Sequence, residues 1–416
     1  IKMESRDLKK YLALFTVLIF ALSFVSCGAA GSSGNASGEG GAGESSQAET
    51  DGQETQHKIA VLVYNRADDE VMSFKKYLED YIGSIFNVQF FYSDTIRSGE
   101  EALAFIESAA EYGAEGVMSF NSYDLKAEVE LAAENKMYFM MASGTVSDQA
   151  FASVEDNEYF VGVVGPGSFI EYKAGSDMAK HFIAEHETNE YFILSGGGCL
   201  GNEMHKLRTE GIIDTLQNAY SVRFDMTSEE IAVSEEPLFF EEGDLKICVV
   251  PGYISYDEYF EVVEEQYKEH PFSTVLAAMA APRMMEAHKN AVYGVIDCYS
   301  ENNMRYFTNG QLDYVCGKYS SIIGPSFAAM YNAVTGHASE FRVNGKAFHI
   351  TQGFWASESK EDFNEKYVLA SSIERNAYNY ADLQKVICIY NSEAAFEDLK
   401  KLAEEYTFAD AIARRM

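Results

Sequence analysis

From residue 58 onward the apolar positions follow two alternating patterns. Short runs rich in β-branched and aromatic residues read as strands: KIAVLVY (58–64), NVQFFYS (87–93), EGVMSFN (115–121) and KMYFMMAS (136–143). Between them the apolar residues recur at helical spacing. In 68–86, Val71, Phe74, Leu78, Ile82 and Ile85 fall on one side. The segment 98–113 opens on a serine cap with an acidic first turn and ends at Gly113, and 124–135 forms a third helical stretch. Four strands alternating with three helices predict right-handed βαβ crossovers and a parallel sheet covered by helices on both faces.

The rhythm repeats. Strands are predicted at 159–165, 190–196, 245–253, 272–280, 292–299 and 312–319, with helices between most of them. The predicted class is α/β, built as two similar blocks in tandem, each with its own parallel sheet. Ligands of such sheets bind at the carboxyl ends of the strands, so two sheets facing across a cleft place both sets of loops on one ligand. The tail beyond 350 includes ADLQKVICIYNSEAAFEDLKKLAEEY, which reads as helices packed over a lobe or the hinge.

The first 57 residues follow a different pattern. Lys9 and Lys10 precede an apolar run from Tyr11 to Val25. Its length suits a signal peptide and falls short of the roughly 20 residues of a membrane span. The run ends at Cys27, and Val25-Ser26-Cys27 resembles the lipobox of bacterial lipoproteins, with Phe24 where that family usually has Leu. The resemblance implies a signal peptide at 1–26, a lipidated Cys27 and a membrane-anchored, extracytoplasmic domain. The alternative is an uncleaved anchor with an incidental cysteine. Residues 27–57 are rich in Gly and Ser and nearly free of large side chains, a composition that makes a disordered tether. The sequence as a whole is 47% hydrophobic and strongly acidic, with a net charge of −33. That charge argues against nucleic acids and anionic lipid surfaces as partners. The five other cysteines form no CxxC pair and are expected as buried free thiols, three of them in strand-like runs (KICVV, GVIDCY, KVICIY).

The stretches HKIAVLVYN, YGAEGVMSFNS, MYFMMASGTVSD, KLRTEGI and YGVIDCY resemble the type I periplasmic binding proteins, in their sugar-binding group, over about residues 58–350. The resemblance implies two Rossmann-like lobes joined by a three-crossing hinge, with crossings near Gly165, Tyr319 and Ile350. The N-terminal lobe is then 58–165 plus 319–350, and the C-terminal lobe 166–318 plus 351–416. It also implies a monomeric, non-enzymatic, cofactor-free capture protein that closes over a small polar solute, a carbohydrate first, for an ABC permease. Family contacts carry over to Asn65 with Arg66 after the first strand, to Asn121, Ser122 and Tyr123 after the third, and to Ser143 after the fourth. The Arg of the family's R-x-x-G element matches Arg208, and the Asp of its G-x-D element matches Asp297; together these are expected to grip adjacent hydroxyls. The family's usual aromatic pair is replaced by Asp68 and Asp69, its acidic residue after the fifth strand by GPG (165–167), its Asn-Asp pair by Ala281-Pro282-Arg283, and its Gln near the second crossing by Lys318. The pocket is therefore not a standard pentose or hexose site. Tyr253, Tyr123 and Trp355 are candidates for stacking, and Asn202 for a polar contact at a helix start.

Other motifs carry less. GGGCLG (196–201) fits G-x-G-x-x-G after a strand, but a lone match is weak, and close backbone approach explains the glycines equally well. GPGSF lacks the G-x-S-x-G frame and no H-E-x-x-H occurs. His181 and Glu185 share a helix face but lack a third metal ligand. The alternatives left open are a nucleoside or other non-sugar solute, a sensor subunit for a membrane kinase, and an exported enzyme.

Overall fold

The computed structural model describes residues 56–415 except Ile373. The signal peptide, Cys27 and nearly all of the tether expected from the sequence lie outside the described residues. Strands β1 (His57–Leu62), β2 (Val88–Tyr92), β3 (Gly116–Ser119), β4 (Tyr138–Ala142), β5 (Phe160–Gly165) and β12 (Phe348–Thr351) form one parallel sheet in the order β2-β1-β3-β4-β5-β12. Strands β6 (Glu190–Ser195), β7 (Leu238–Glu242), β8 (Leu245–Pro251), β9 (Thr274–Ala277), β10 (Val292–Cys298), β11 (Leu312–Lys318) and β13 (Trp355–Ser357) form a second, in the order β7-β8-β6-β9-β10-β11-β13. Both sheets contain the same five-strand parallel order, second-first-third-fourth-fifth. The inner strands read as unbroken apolar runs because both faces are covered. In β5 and in the last five residues of β6 every residue is buried. Strands β7 and β13 pair antiparallel at the edges of the second sheet; neither was legible as a strand from the alternating pattern.

Five helices position the site: α1 (Asp69–Lys76), α2 (Ser168–Glu185), α3 (Glu203–Tyr220), α4 (Gly324–Asn332) and α5 (Phe396–Glu404). The helix expected over 68–86 begins as α1, capped by Asp68, and then widens into a π turn at Tyr77–Ile82. The chain changes sheet after β5, after β11 and between β12 and β13. The tail divides between the lobes. β13 extends the second sheet, while α5 packs on β12 and α4 of the first. KVICIY is a turn rather than a strand; the buried Cys388 sits there, its N–H bonded to the Asn332 side chain at 2.8 Å. All five described cysteines are free, four of them buried. Among the described residues no helix is long and apolar enough to cross a membrane.

The closest helix pair is α2 against α3, and two glycines make it possible. A Cβ on Gly175 would lie 1.9 Å from the Arg208 carbonyl oxygen, and one on Gly211 would lie 2.1 Å from that of Tyr172. Gly211 is the glycine of RTEG, so the spacing from Arg208 to Gly211 has a packing reason: the glycine brings α3 onto α2 one turn from the arginine. Gly211→Ala forces the helices apart, an overpacking that costs about 1–3 kcal/mol. A lower urea midpoint with an unchanged m-value is the expected result; a parental midpoint would contradict the close approach.

Candidate functional site

The carboxyl ends of the two sheets face one cavity of about 350 Å³. Tyr64 and Asp68 follow β1, Phe120 and Asn121 follow β3, and Thr145 follows β4. From the other side come Asn202, His205 and Arg208 on α3, Tyr253 after β8, Met279 and Ala280 after β9, Asp297 in β10 and Lys318 at the end of β11. In each sheet the crossover direction reverses between the first and third strands, where the loops splay apart and leave room for a ligand. The cavity lies over both of these points.

Polar contacts tie the lobes across it. Tyr253 Oη donates to Asp68 Oδ2 at 3.0 Å, Asn302 Nδ2 to Asp69 Oδ2 at 2.8 Å, and Lys318 Nζ to Glu70 Oε1 at 3.0 Å. Thr145 Oγ1 donates to Glu171 Oε1 at 2.6 Å. At the rim the Arg97 guanidinium lies over the Tyr256 ring at 4.9 Å.

Of the residues singled out from the sequence, Asn121, Tyr123, Asn202, Arg208, Tyr253, Asp297 and Lys318 line this cavity. The others do not. Asn65 stands just behind it, with Nδ2 3.5 Å from Tyr253 Oη and Oδ1 accepting from the Ala67 N–H. Arg66 points to solvent and pairs with Asp94 at 2.7 Å. Ser122 is half-buried behind the loop. Ser143 is buried in a left-handed backbone conformation, φ 66°, and Thr145 takes the place foreseen for it. Trp355 is a core residue, not a stacking platform: it is 2% exposed, stacks on Tyr319 at 3.9 Å, and donates Nε1–H to the Tyr406 carbonyl at 2.7 Å.

The expected partnership of Arg208 with Asp297 is replaced by another. Arg208 Nε donates to Glu171 Oε2 at 2.6 Å and its Nη1 to the Ala278 carbonyl at 3.0 Å. Glu171 is fully buried on α2, four residues past GPG. An acid therefore does serve this corner, but it comes from the helix rather than the loop. Asp297 instead accepts from Asn303 Nδ2 at 2.7 Å.

His205 was missed. It is buried beside the cavity with Nδ1 unpartnered, and burial pulls its pKa down to about 3, so the imidazole is neutral at ordinary pH. His205 is nonetheless among the residues that line the cavity. The signal was present in sequence: Asn202, His205 and Arg208 are three residues apart and share a helix face.

Burial, and then the nearby Asp68, push the Asp297 carboxyl up to about 8; burial, and then Glu70, push Asp68 up to about 6. An unfolded aspartate releases its proton near about 3.9, whereas folded Asp297 keeps its own until about pH 8. Over that window the native state binds more protons at this site, so the contribution of Asp297 to stability is greatest in acid, falls as pH rises from about 4 to about 8, and then levels. Asp297→Asn removes this contribution, and its melting temperature is expected to fall less steeply across the same window. Parallel melting profiles for the two proteins would refute the buried-acid assignment.

No protein-family model matches the chain, and no curated protein does. Solved structures do. A solute-binding protein of an ABC transporter from Bacillus halodurans, with bound myo-inositol, aligns with a TM-score of 0.52 at 16% identity over 75% of this chain and 98% of that one. A periplasmic solute-binding protein from Actinobacillus succinogenes with bound D-allose gives 0.55 at 12% over 74% and 99%. The binding component of an arabinose transporter from Shewanella, holding L-arabinofuranose, gives 0.54 at 11% over 74% and 94%. Identities this low speak to architecture. With its paired sheets, three sheet changes and shared cleft, the chain has the type I periplasmic binding protein fold.

Proposed function

We propose that this protein is an extracytoplasmic solute-binding lipoprotein, anchored through Cys27, that captures a small polyhydroxylated solute by hinge closure and passes it to an ABC importer. The observation that carries the reading is the cavity itself: fixed donors and acceptors from both lobes converge on a space of about 350 Å³. That size is at the lower end of small-molecule sites, which span roughly 300–1,000 Å³, and suits a monosaccharide or cyclitol rather than an oligosaccharide. The polyols bound by the proteins of like fold support the same class. Arg208, His205, Asn121, Asn202 and Asp297 supply the hydrogen bonds, and Tyr253, Tyr123 and Tyr256 supply the apolar faces that C–H groups of a sugar pack against. Only a closed arrangement offers both halves of this set, so a ligand favours closure by its differential affinity. The reading needs no cofactor and no catalytic step.

A thermal-shift screen over monosaccharides, cyclitols, nucleosides and amino acids tests it. Ligand at 100 times Kd adds about 2.7 kcal/mol of stability. A polyol is expected to raise the melting temperature and, by small-angle scattering, to leave a particle no larger than the free one. Asp297→Ala is expected to weaken that polyol about 2–10-fold at neutral pH, the worth of a hydrogen bond to a protonated carboxyl. A screen in which no polyhydroxylated solute stabilises the protein at millimolar concentration would refute the reading.

One observation favours a narrower ligand. Lys318 is engaged by Glu70 and Arg208 by Glu171, so among the described residues Asp68 and Asp297 have no cationic partner within salt-bridge distance. A solute carrying an ammonium group would fill that position. An amino sugar is then expected to bind at least tenfold more tightly than its neutral parent, and equal affinities would dismiss this second reading.

A further inference from the structure

The helix-face pair His181 and Glu185 lacked a third ligand in the sequence. The fold supplies a different set. His181 lies just before the last turn of α2, His186 directly follows that helix, and Asp313 is the second residue of β11. His181 Nε2 is 2.9 Å from Asp313 Oδ2, and His186 Nε2 is 2.8 Å from the same oxygen. The three atoms all lie within 4.8 Å of one another. None of the three residues lines the cavity of the cleft.

We infer that His181, His186 and Asp313 form a binding site for a divalent transition-metal ion of the zinc class, with solvent as the fourth ligand. The chemistry fits: imidazole nitrogen with one carboxylate oxygen is a common donor set for zinc, and three protein ligands leave one open position. The geometry fits as well. Ligands at about 2.0–2.1 Å on a tetrahedral zinc stand about 3.3 Å from each other, so each nitrogen–oxygen distance needs to open by only about 0.5 Å, with the two nitrogens, within 4.8 Å of each other, settling to the same spacing. The rings are already oriented. The His186 ring stacks on Phe182 at 4.8 Å and 17°, and the His181 ring lies against Tyr314 at 5.3 Å. One Asp313 oxygen already faces both imidazole nitrogens, so the three donor atoms converge on one point as ligands must. The His181 side chain is 7% exposed, while those of His186 and Asp313 are 26% and 38% exposed, which leaves an outer side for the ion to enter and for water to coordinate.

Binding requires each Nε2 to give up its hydrogen. A neutral imidazole does so by carrying its proton on Nδ1 instead, and an imidazolium by releasing one proton to solvent. The ion then replaces two N–H···O bonds by three coordinate bonds and pins the end of α2 to β11, the strand whose far end carries Lys318.

The test uses the protein purified without a polyhistidine tag and stripped with a chelator. Titration with Zn²⁺ by calorimetry is expected to show one strong site per chain, with Kd below about 10 µM, and Co²⁺ to give the intense visible absorption of a four-coordinate site. His186→Gln and Asp313→Asn each remove one ligand at a partly exposed position and are expected to weaken Zn²⁺ at least tenfold while keeping the circular dichroism of the parent. Absence of a stoichiometric site, or a Zn²⁺ affinity untouched by both substitutions, would overturn the inference. Neither result depends on what the cleft binds.

Discussion

Glu171 is a carboxylate without access to water, and the cleft is arranged around it. One oxygen accepts from Arg208 of its own lobe, and the other accepts from Thr145 of the opposite lobe. Removing one member of such a buried pair typically costs about 3–5 kcal/mol, because the partner is left charged and unsolvated. The pair therefore fixes Arg208 at the floor of the cavity rather than leaving it to follow the ligand. It also links the floor to the opposite lobe, through the Thr145 hydroxyl on the second oxygen. Gly175 and Gly211 lie under the same pair, since only their missing side chains let α2 and α3 approach closely enough for Glu171 to reach Arg208.

The hinge is reinforced from outside by the tail. The Tyr406 carbonyl accepts from Tyr319 Oη at 3.0 Å and from Trp355 Nε1 at 2.7 Å. Tyr319 and Trp355 stand at two different sheet changes, so one peptide group spans two of the connecting segments. Tyr378 adds to this: its hydroxyl contacts Gln352 and Leu402, and its carbonyl accepts from Tyr77. A tail bonded in this way to both crossings limits which motions of the lobes keep it intact.

The two sheets were legible because buried parallel strands are written as uninterrupted apolar runs, and the site was legible wherever its residues directly follow such runs. Asn121, Asp297 and Lys318 belong to that class. Arg208 was found by its motif, but its partner was not, since Glu171 lies 37 residues away and becomes a neighbour only through helix packing. Trp355 was misplaced for a related reason. A lone tryptophan can serve as a platform or fill a core, and the difference rests on Tyr319 and Tyr406, which sequence alone does not bring together. Edge strands β7 and β13 were missed because they are short and partly exposed, so their apolar pattern is weak. His205 was overlooked although its helical spacing from Asn202 and Arg208 was available.

The remaining question is why a chain already at −33 keeps Asp68 and Asp297 near each other in a closed cleft. In the absence of a donor the cheapest arrangement is for Asp297 to hold a proton, as its raised pKa implies, and a protonated carboxyl both donates and accepts. A polyol hydroxyl matches that dual character, and an ammonium group matches the ionised pair. An ammonium group would relieve the repulsion of the ionised pair, whereas a polyol would meet Asp297 as a protonated carboxyl that both donates and accepts. On the proposed function, selectivity of closure for the loaded protein would rest on these buried acids as well as on the shape of the cavity.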